Sequence, residues 1–445
     1  MTEETEPLLA SRQPDARTSW RIYSVMILFG LASLLPWNLM ITANGFHVAK
    51  FSETNSETII NNFPSYIEIV GIGSNFIAAL LGVVVLKIHN LVTVVTLCNT
   101  SALLVFLVIT VTAYLNTANW AFSFFIMTMM LFGVVMFTSA IFMSGMMGLS
   151  SILTTNAVQG FYLGQGLAGL FSALLCIVTL AFPNSDPVSA GFYYFLIASF
   201  TLLISLVVFV VFGRTEFVQI ATSKKSSNNA EIIGAERKEL LSPRDAQVPD
   251  EATTQKNTAM SVFKVIWRFC LTTVLTSTIT SVCFPAALSM LRSSARPIDH
   301  GAEESWTGYF LPVTVFLVFS VGDVLGRITS SCYSLPTPTY LLPVSYIRLL
   351  LVPCIYMTNL HPRNVSVWFH NDAWAALFNF LLSWTNGHFI SLAALYGPQM
   401  MQTKRGKSFA GTLLSFSYAL GLLSGAVLVF PLMKIIYRPL PQDSQ

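Results

Sequence analysis

Charge is what this sequence has least of. Asp, Glu, Lys and Arg together make up 10% of its 445 residues, against about a quarter in an ordinary soluble domain. So few charges cannot clothe a large aqueous domain. The net charge of +3 is too small to argue for a nucleic-acid partner, and the basic residues sit in loops instead of forming a stripe. Cysteine is scarce too. Cys98, Cys176, Cys270, Cys283, Cys332 and Cys354 fall in or beside apolar stretches, and no CxxC occurs, so buried thiols are expected in place of a disulfide framework. No His/Cys cluster has metal-ligand spacing, and no GxxxxGK[ST] loop is present, which argues against a metal centre and an ATP-driven pump. No metal or cofactor is expected. Acidic Glu3, Glu4 and Glu6 stand where a cleaved leader would carry its basic region, so the first apolar run is expected to remain as a span.

What is abundant is apolar side chains, at 54% of the chain, with a mean hydropathy of +0.65. Eleven stretches are long enough to cross a bilayer. They lie near 20–45, 64–87, 91–114, 120–143, 152–181, 191–213, 262–290, 306–331, 339–360, 372–397 and 407–435. The fold class expected is all-α: a polytopic membrane protein with six spans in residues 20–213 and five in 262–436. Residues 214–261, with Lys224, Lys225, Arg237, Lys238, Asp245, Asp250 and Glu251 among Ser, Asn and Gln, cannot bury a core and are expected to be a disordered linker. A bundle of two halves suits rocking about a central site.

Basic residues set the orientation. Arg12, Arg17, Arg21, Lys87, the linker cations, Lys404, Arg405 and Lys407 fall on one side, and fewer fall on the other. That asymmetry predicts a cytoplasmic tail at 1–19 and an outside tail at 437–445. The sequon at Asn364 then lies outside, where glycosylation is expected, whereas the one at Asn99 falls within a span and is expected to be silent.

Within the eighth span, Asp323 and Arg327 stand four residues apart in an apolar run. That spacing puts both on one helix face. Charges at membrane depth cost at least ~2.5 kcal/mol each, so they normally meet a partner or a wet cavity. A hydrolase would need paired acids, a Ser/His arrangement or metal ligands at that depth, and an Asp held by an Arg is a poor general base. The pattern points to transport and away from an enzyme. Gln165, between small residues, either offers donor and acceptor to a ligand or bridges helices. Trp37 either lines a cavity or anchors at the interface. Arg348, in the ninth span, is expected to snorkel to the cytoplasmic side. Glu68, one turn into the second span, either benefits from the helix N-terminus or faces a cavity mouth and senses protons. His47 is expected to be a solvated loop residue.

Several motifs, in order along the chain, resemble the equilibrative nucleoside transporter family. They are Leu35-Pro36-Trp37-Asn38 with Thr42-Ala43, Gly164-Gln165-Gly166, Gly322-Asp323-Val324-Leu325-Gly326-Arg327, Asn386-Gly387 with Tyr396-Gly397-Pro398, and Gly421-Leu422 with Gly425-Ala426. The resemblance implies facilitated diffusion of nucleosides, and in some members nucleobases, through a major-facilitator-like bundle. It implies that Leu34 and Trp37 line the outer cavity and that Gln165 bonds the base. It also implies that Asp323 and Arg327 engage the ribose and that Leu422 packs the apolar wall. Phe284, Pro285 and Phe316 fall where the family narrows its outer gate. The chain departs from the pattern at Ser320, where the family more often has Asn, and in its short stretch 46–63. The partners expected are a nucleoside and the lipid bilayer, with the chain a monomer. A polyspecific or proton-linked carrier of organic cations such as monoamines is the second reading, with Glu68 the extra carboxylate it would need.

Glu4, Leu8 and Leu9 resemble an acidic dileucine signal for a sorting adaptor, which would place the protein in the late endosome or lysosome membrane instead of the plasma membrane. If the signal operates, imaging of Leu8→Ala/Leu9→Ala shows the protein moved to the cell surface. An unchanged distribution removes the signal.

Overall fold

The computed structural model describes residues 16–51, 57–88, 90–181, 187–215, 219, 259–294, 309–361 and 366–436. Glu4, Leu8, Leu9, Asn364, most of 214–261 and the tail 437–445 lie outside the described residues. In chain order the helices are α1 (Ala16–Thr42), α2 (Asn44–Phe51), α3 (Glu57–Ile88), α4 (Leu91–Ala113), α5 (Ala121–Leu153), α6 (Thr155–Ala181) and α7 (Pro187–Gly213). They continue with α8 (Ala259–Cys283), α9 (Tyr309–Cys332), α10 (Leu341–Tyr356), α11 (Asp372–Gln399) and α12 (Lys404–Ile436).

Among the described residues, nine helices are long and apolar enough to span a membrane. Of the eleven stretches expected, α10 is too short to qualify, and α11, although 28 residues long, is diluted by Asn379, Asn386 and His388. Two boundaries differ from those expected. α3 begins at Glu57, so Glu68 lies three turns inside it, beyond reach of the helix N-terminus. α5 runs on through Ser144, Gly145, Gly148 and Ser150 to Leu153, where extended Thr154 breaks it. These small residues are buried by packing: Ser144 and Gly148 meet α12, with Ser144 Oγ 3.0 Å from Ser415 Oγ, and Gly145 lies against Leu91 and Val95 of α4.

Helices pack chiefly as α1 on α6, α8 on α12, α9 on α11, α3 on α5 and α4 on α7. In lipid this association rests on close packing and small residues. The α9–α11 seam is an example: a Cβ at Gly326 would overlap the Trp384 carbonyl, and one at Gly387 would overlap that of Asp323. Only glycine permits this approach, and it sets Asn386 beside Asp323. Asn99 is buried and donates to Ser205 Oγ at 3.3 Å, tying α4 to α7.

Three apolar clusters organise the interior. One joins both halves at the end where α1 begins, combining Met26, Met146, Phe161, Ile266, Phe389 and Leu414. The second lies wholly within α1–α7 and the third wholly within residues 275–432, both toward the opposite end. The halves therefore share a core at one end and diverge toward the other.

His47 is not a solvated loop residue. It is fully buried in α2 against Phe46, Phe51, Phe63 and Phe195, and neither ring nitrogen has a partner. Burial drives its pKa from the ordinary 6.5 down to about 3. Between those values the unfolded chain takes up a proton that the folded chain refuses, so stability falls as pH drops through this window. His47→Phe keeps the aromatic packing and removes that proton uptake. The thermal midpoint of the purified variant should fall less than that of the parent between about pH 7 and about pH 4.5; an equal fall would contradict this reading.

Candidate functional site

α9 opens with a π-helical turn at Pro312–Leu317. Proline has no N–H to complete the regular ladder there. Asn379 of α11 packs on this turn, donating from Nδ2 to Thr314 O at 3.0 Å and Val315 O at 2.9 Å. The regular helix that follows presents Asp323 and Arg327 on one face, 6% and 4% exposed.

Arg327 Nε donates to Asp323 Oδ2 at 2.7 Å. Asn386 Nδ2 donates to Asp323 Oδ1 at 2.8 Å, so each carboxylate oxygen has a partner and keeps lone pairs for a ligand. Arg327 also crosses to the other half. Its Nη1 donates to the Tyr162 carbonyl at 2.9 Å and to Gln165 Oε1 at 3.4 Å, and its guanidinium lies over the Tyr162 ring. Gln165 in turn donates from Nε2 to Ser33 Oγ at 3.4 Å, carrying the network into α1. Removing one partner of a buried pair leaves an uncompensated charge, at a cost of about 3–5 kcal/mol.

These groups form one side of a cavity between the halves, with about 1020 Å³ of empty space including the part open to solvent. Leu34, Trp37, Gln165, Asp323, Arg327 and Leu422 all line it, as do Phe284, Pro285, Phe316 and Ser320. Trp37 stacks on Phe132 and is a wall residue of the cavity. Phe284 stacks on Phe319 at 3.8 Å and meets Phe316 edge-on, closing one flank. Ser320 Oγ is turned back onto the Phe316 carbonyl at 2.8 Å. Asn38, Asn75, Thr280 and Asn386 add amides and a hydroxyl that the sequence did not single out as site residues.

Two expectations need correction. Arg348 does not snorkel: it is 2% exposed and held by Thr276, Thr280, Leu382 and Thr385. Long Arg side chains reach water only when no nearer acceptors exist, and here four oxygens surround the guanidinium. Glu68 is neither at a helix start nor among the cavity-lining residues. It occupies the same helix face as Gly71, Ile72 and Asn75, which do line the cavity, one turn toward the diverging end. Exposed Ile69, Ile77, Leu80 and Val84 mark the opposite, lipid-facing side of α3.

Residues 129–434 match the family model described as Nucleoside transporter. The chain is 26% identical to equilibrative nucleoside transporter 1 of Rattus norvegicus, covering 96% of this chain and all of the relative. It is 28% identical to equilibrative nucleoside transporter 2 of the same species over 93% of this chain and 97% of that one. Among solved structures, the proton:xylose symporter XylE superposes with a TM-score of 0.60 at 10% identity, covering 93% of this chain and 88% of the other. The human organic anion transporter MFSD10 gives 0.54 at 13% identity, covering 94% and 93%. Likeness at these identities concerns the fold, which is that of the major facilitator superfamily.

Proposed function

The chain belongs to the nucleoside transporter family, and from that premise we propose that it carries nucleosides across a membrane by facilitated diffusion, with Asp323 as the anchor of the bound sugar. It is a multi-pass membrane transporter and not an enzyme. The observation that supports the sugar anchor is the setting of Asp323: paired with Arg327, oriented by Asn386, and facing a cavity with aromatic walls. A nucleoside needs this combination, because its hydroxyls seek an anionic acceptor while its base seeks a flat apolar slot with a few polar atoms. Gln165 presents both a donor and an acceptor for a base edge. Leu34, Trp37 and Leu422 supply the apolar walls. Phe284, Pro285, Phe316 and Ser320 form the outer gate of the alternating-access cycle.

The residues that support this reading also weigh against an organic-cation carrier. Asp323 is the single carboxylate among the cavity-lining residues and is already neutralised by Arg327, so no net negative charge remains for a cationic ligand. Glu68 is a separate proposal: on the cavity face of α3 near its open end, it tunes uptake by protonation. The six-plus-five division about a cytoplasmic linker, the inside N-terminus and the monomeric state are proposed with the family fold.

Uptake of radiolabelled adenosine and uridine into transporter-null cells tests the proposal. Saturable uptake should appear with the chain at the surface and fall by about 10–100-fold in Asp323→Ala, the loss of one or two charge-assisted hydrogen bonds. Surface protein with no saturable uptake would refute it. Across neutral and acidic pH, Glu68→Gln should flatten the uptake profile; an unaltered profile refutes the proton-sensing role.

A further inference from the structure

Arg348 carries an elementary charge into the protein interior, and among the described residues no carboxylate lies within salt-bridge distance of it. It does not touch the cavity. A buried guanidinium without a counter-ion is costly, and its hydrogen bonds explain where that cost is offset. Nε donates to Thr385 Oγ1 at 2.9 Å and Nη1 to the Thr276 carbonyl at 2.8 Å. Nη2 donates to Thr280 Oγ1 at 2.9 Å and to the Leu382 carbonyl at 3.0 Å. Four oxygens from α8 and α11 therefore hold one cation of α10.

One of those four oxygens leads into the site. Thr280 Oγ1, with a lone pair occupied by Arg348, has one proton, which can go to Asn386 Oδ1 at 2.9 Å or to the Thr276 carbonyl at 2.9 Å. Arg348 already donates to that carbonyl, and the cation beside the hydroxyl oxygen strengthens whatever bond its proton makes. With Oδ1 of Asn386 accepting from Thr280, its Nδ2 is the atom turned to Asp323 Oδ1. A chain of three hydrogen bonds thus runs Arg348–Thr280–Asn386–Asp323, and its last three members line the cavity.

We propose that Arg348 is a positioning and charge-selectivity residue of the transport site: through Thr280 and Asn386 it fixes the free face of Asp323, and its charge makes the site net positive. The charge count is Asp323 −1, Arg327 +1 and Arg348 +1, giving +1 within one hydrogen-bonded network. In a medium of low dielectric such a charge acts well beyond contact distance. A neutral nucleoside is indifferent to it, whereas an organic cation of similar size is repelled. The inference rests on the nucleoside-transport reading and adds to it the residue that refuses cations.

A purely structural Arg348, tying α8, α10 and α11 together, predicts something different. Loss of the tie would lower uptake of every substrate alike, and lysine, which cannot reproduce the planar fork, would fail as glutamine does. The experiment measures uptake of uridine and of phenyltrimethylammonium, a permanent aromatic cation, in transporter-null cells, normalised to surface protein. In Arg348→Gln the cation-to-uridine ratio should rise about tenfold or more, corresponding to removal of one unit of nearby charge. In Arg348→Lys the ratio should stay at the parent value even where total uptake falls. Thr280→Val cuts the relay but leaves Arg348 its other three bonds. It should raise the KM for uridine while cations stay excluded, and Thr280→Ser should restore the KM. This variant carries the test if Arg348→Gln does not reach the surface. An unchanged ratio in Arg348→Gln, or an unchanged KM in Thr280→Val, overturns the inference while leaving nucleoside transport intact. Absence of uridine uptake by the parent chain overturns both.

Discussion

A carboxylate buried between helices in lipid cannot stand alone, and the arrangement around Asp323 follows from that constraint. Its charge requires Arg327, and the guanidinium, with more donors than one carboxylate can use, requires further acceptors. It finds them across the cavity in the Tyr162 carbonyl and Gln165. Asp323 meanwhile requires a donor for its second oxygen and finds Asn386, which reaches it because Gly387 lets α11 press against α9. Each of these contacts satisfies a buried polar group, and together they align α1, α6, α9 and α11 around one point. What they leave open is a carboxylate face toward the cavity.

The same contacts bear on motion. Arg327 belongs to the C-terminal half but is bonded to the N-terminal half, and the apolar cluster that joins the halves lies at the end where α1 begins. With the N-terminus inside, as proposed, that end would be cytoplasmic and this arrangement outward-facing. Opening the other way must part α5 from α12, where Ser144, Gly148, Ser415 and Thr412 meet beside the apolar cluster that holds Met146 and Leu414. A ligand that draws on Asp323 and Gln165 together touches both halves, which is how binding can bias their relative position.

Much of this was legible in the sequence because lipid makes the signals coarse. Long apolar runs gave the spans, and Asp323 four residues before Arg327 gave the centre of the site. Ten residues singled out from motifs (Leu34, Trp37, Gln165, Phe284, Pro285, Phe316, Ser320, Asp323, Arg327 and Leu422) line one cavity. The failures have a common cause. Residue type makes Arg348 a snorkelling cation and His47 a solvated loop residue, and Ser144–Ser150 fall between two expected spans, whereas packing against non-local partners decides each of them. Arg348 is held by threonines more than thirty residues away in sequence, and His47 is sealed by phenylalanines from α2, α3 and α7. Asn386 was visible as a motif, but its role required the distance to Asp323. The threonines of α8 gave no signal at all, since Thr276 and Thr280 look like ordinary helix-packing residues.

The most direct test of the account is flux in a system that contains nothing else. The purified chain is reconstituted into liposomes without any ion gradient, and entry of tritiated uridine is followed to its plateau. The account predicts saturable entry that stops when the inside concentration equals the outside, and entry about 10–100-fold slower for Asp323→Ala. Entry that requires an imposed proton gradient, or a parent rate no greater than that of protein-free vesicles, would contradict it.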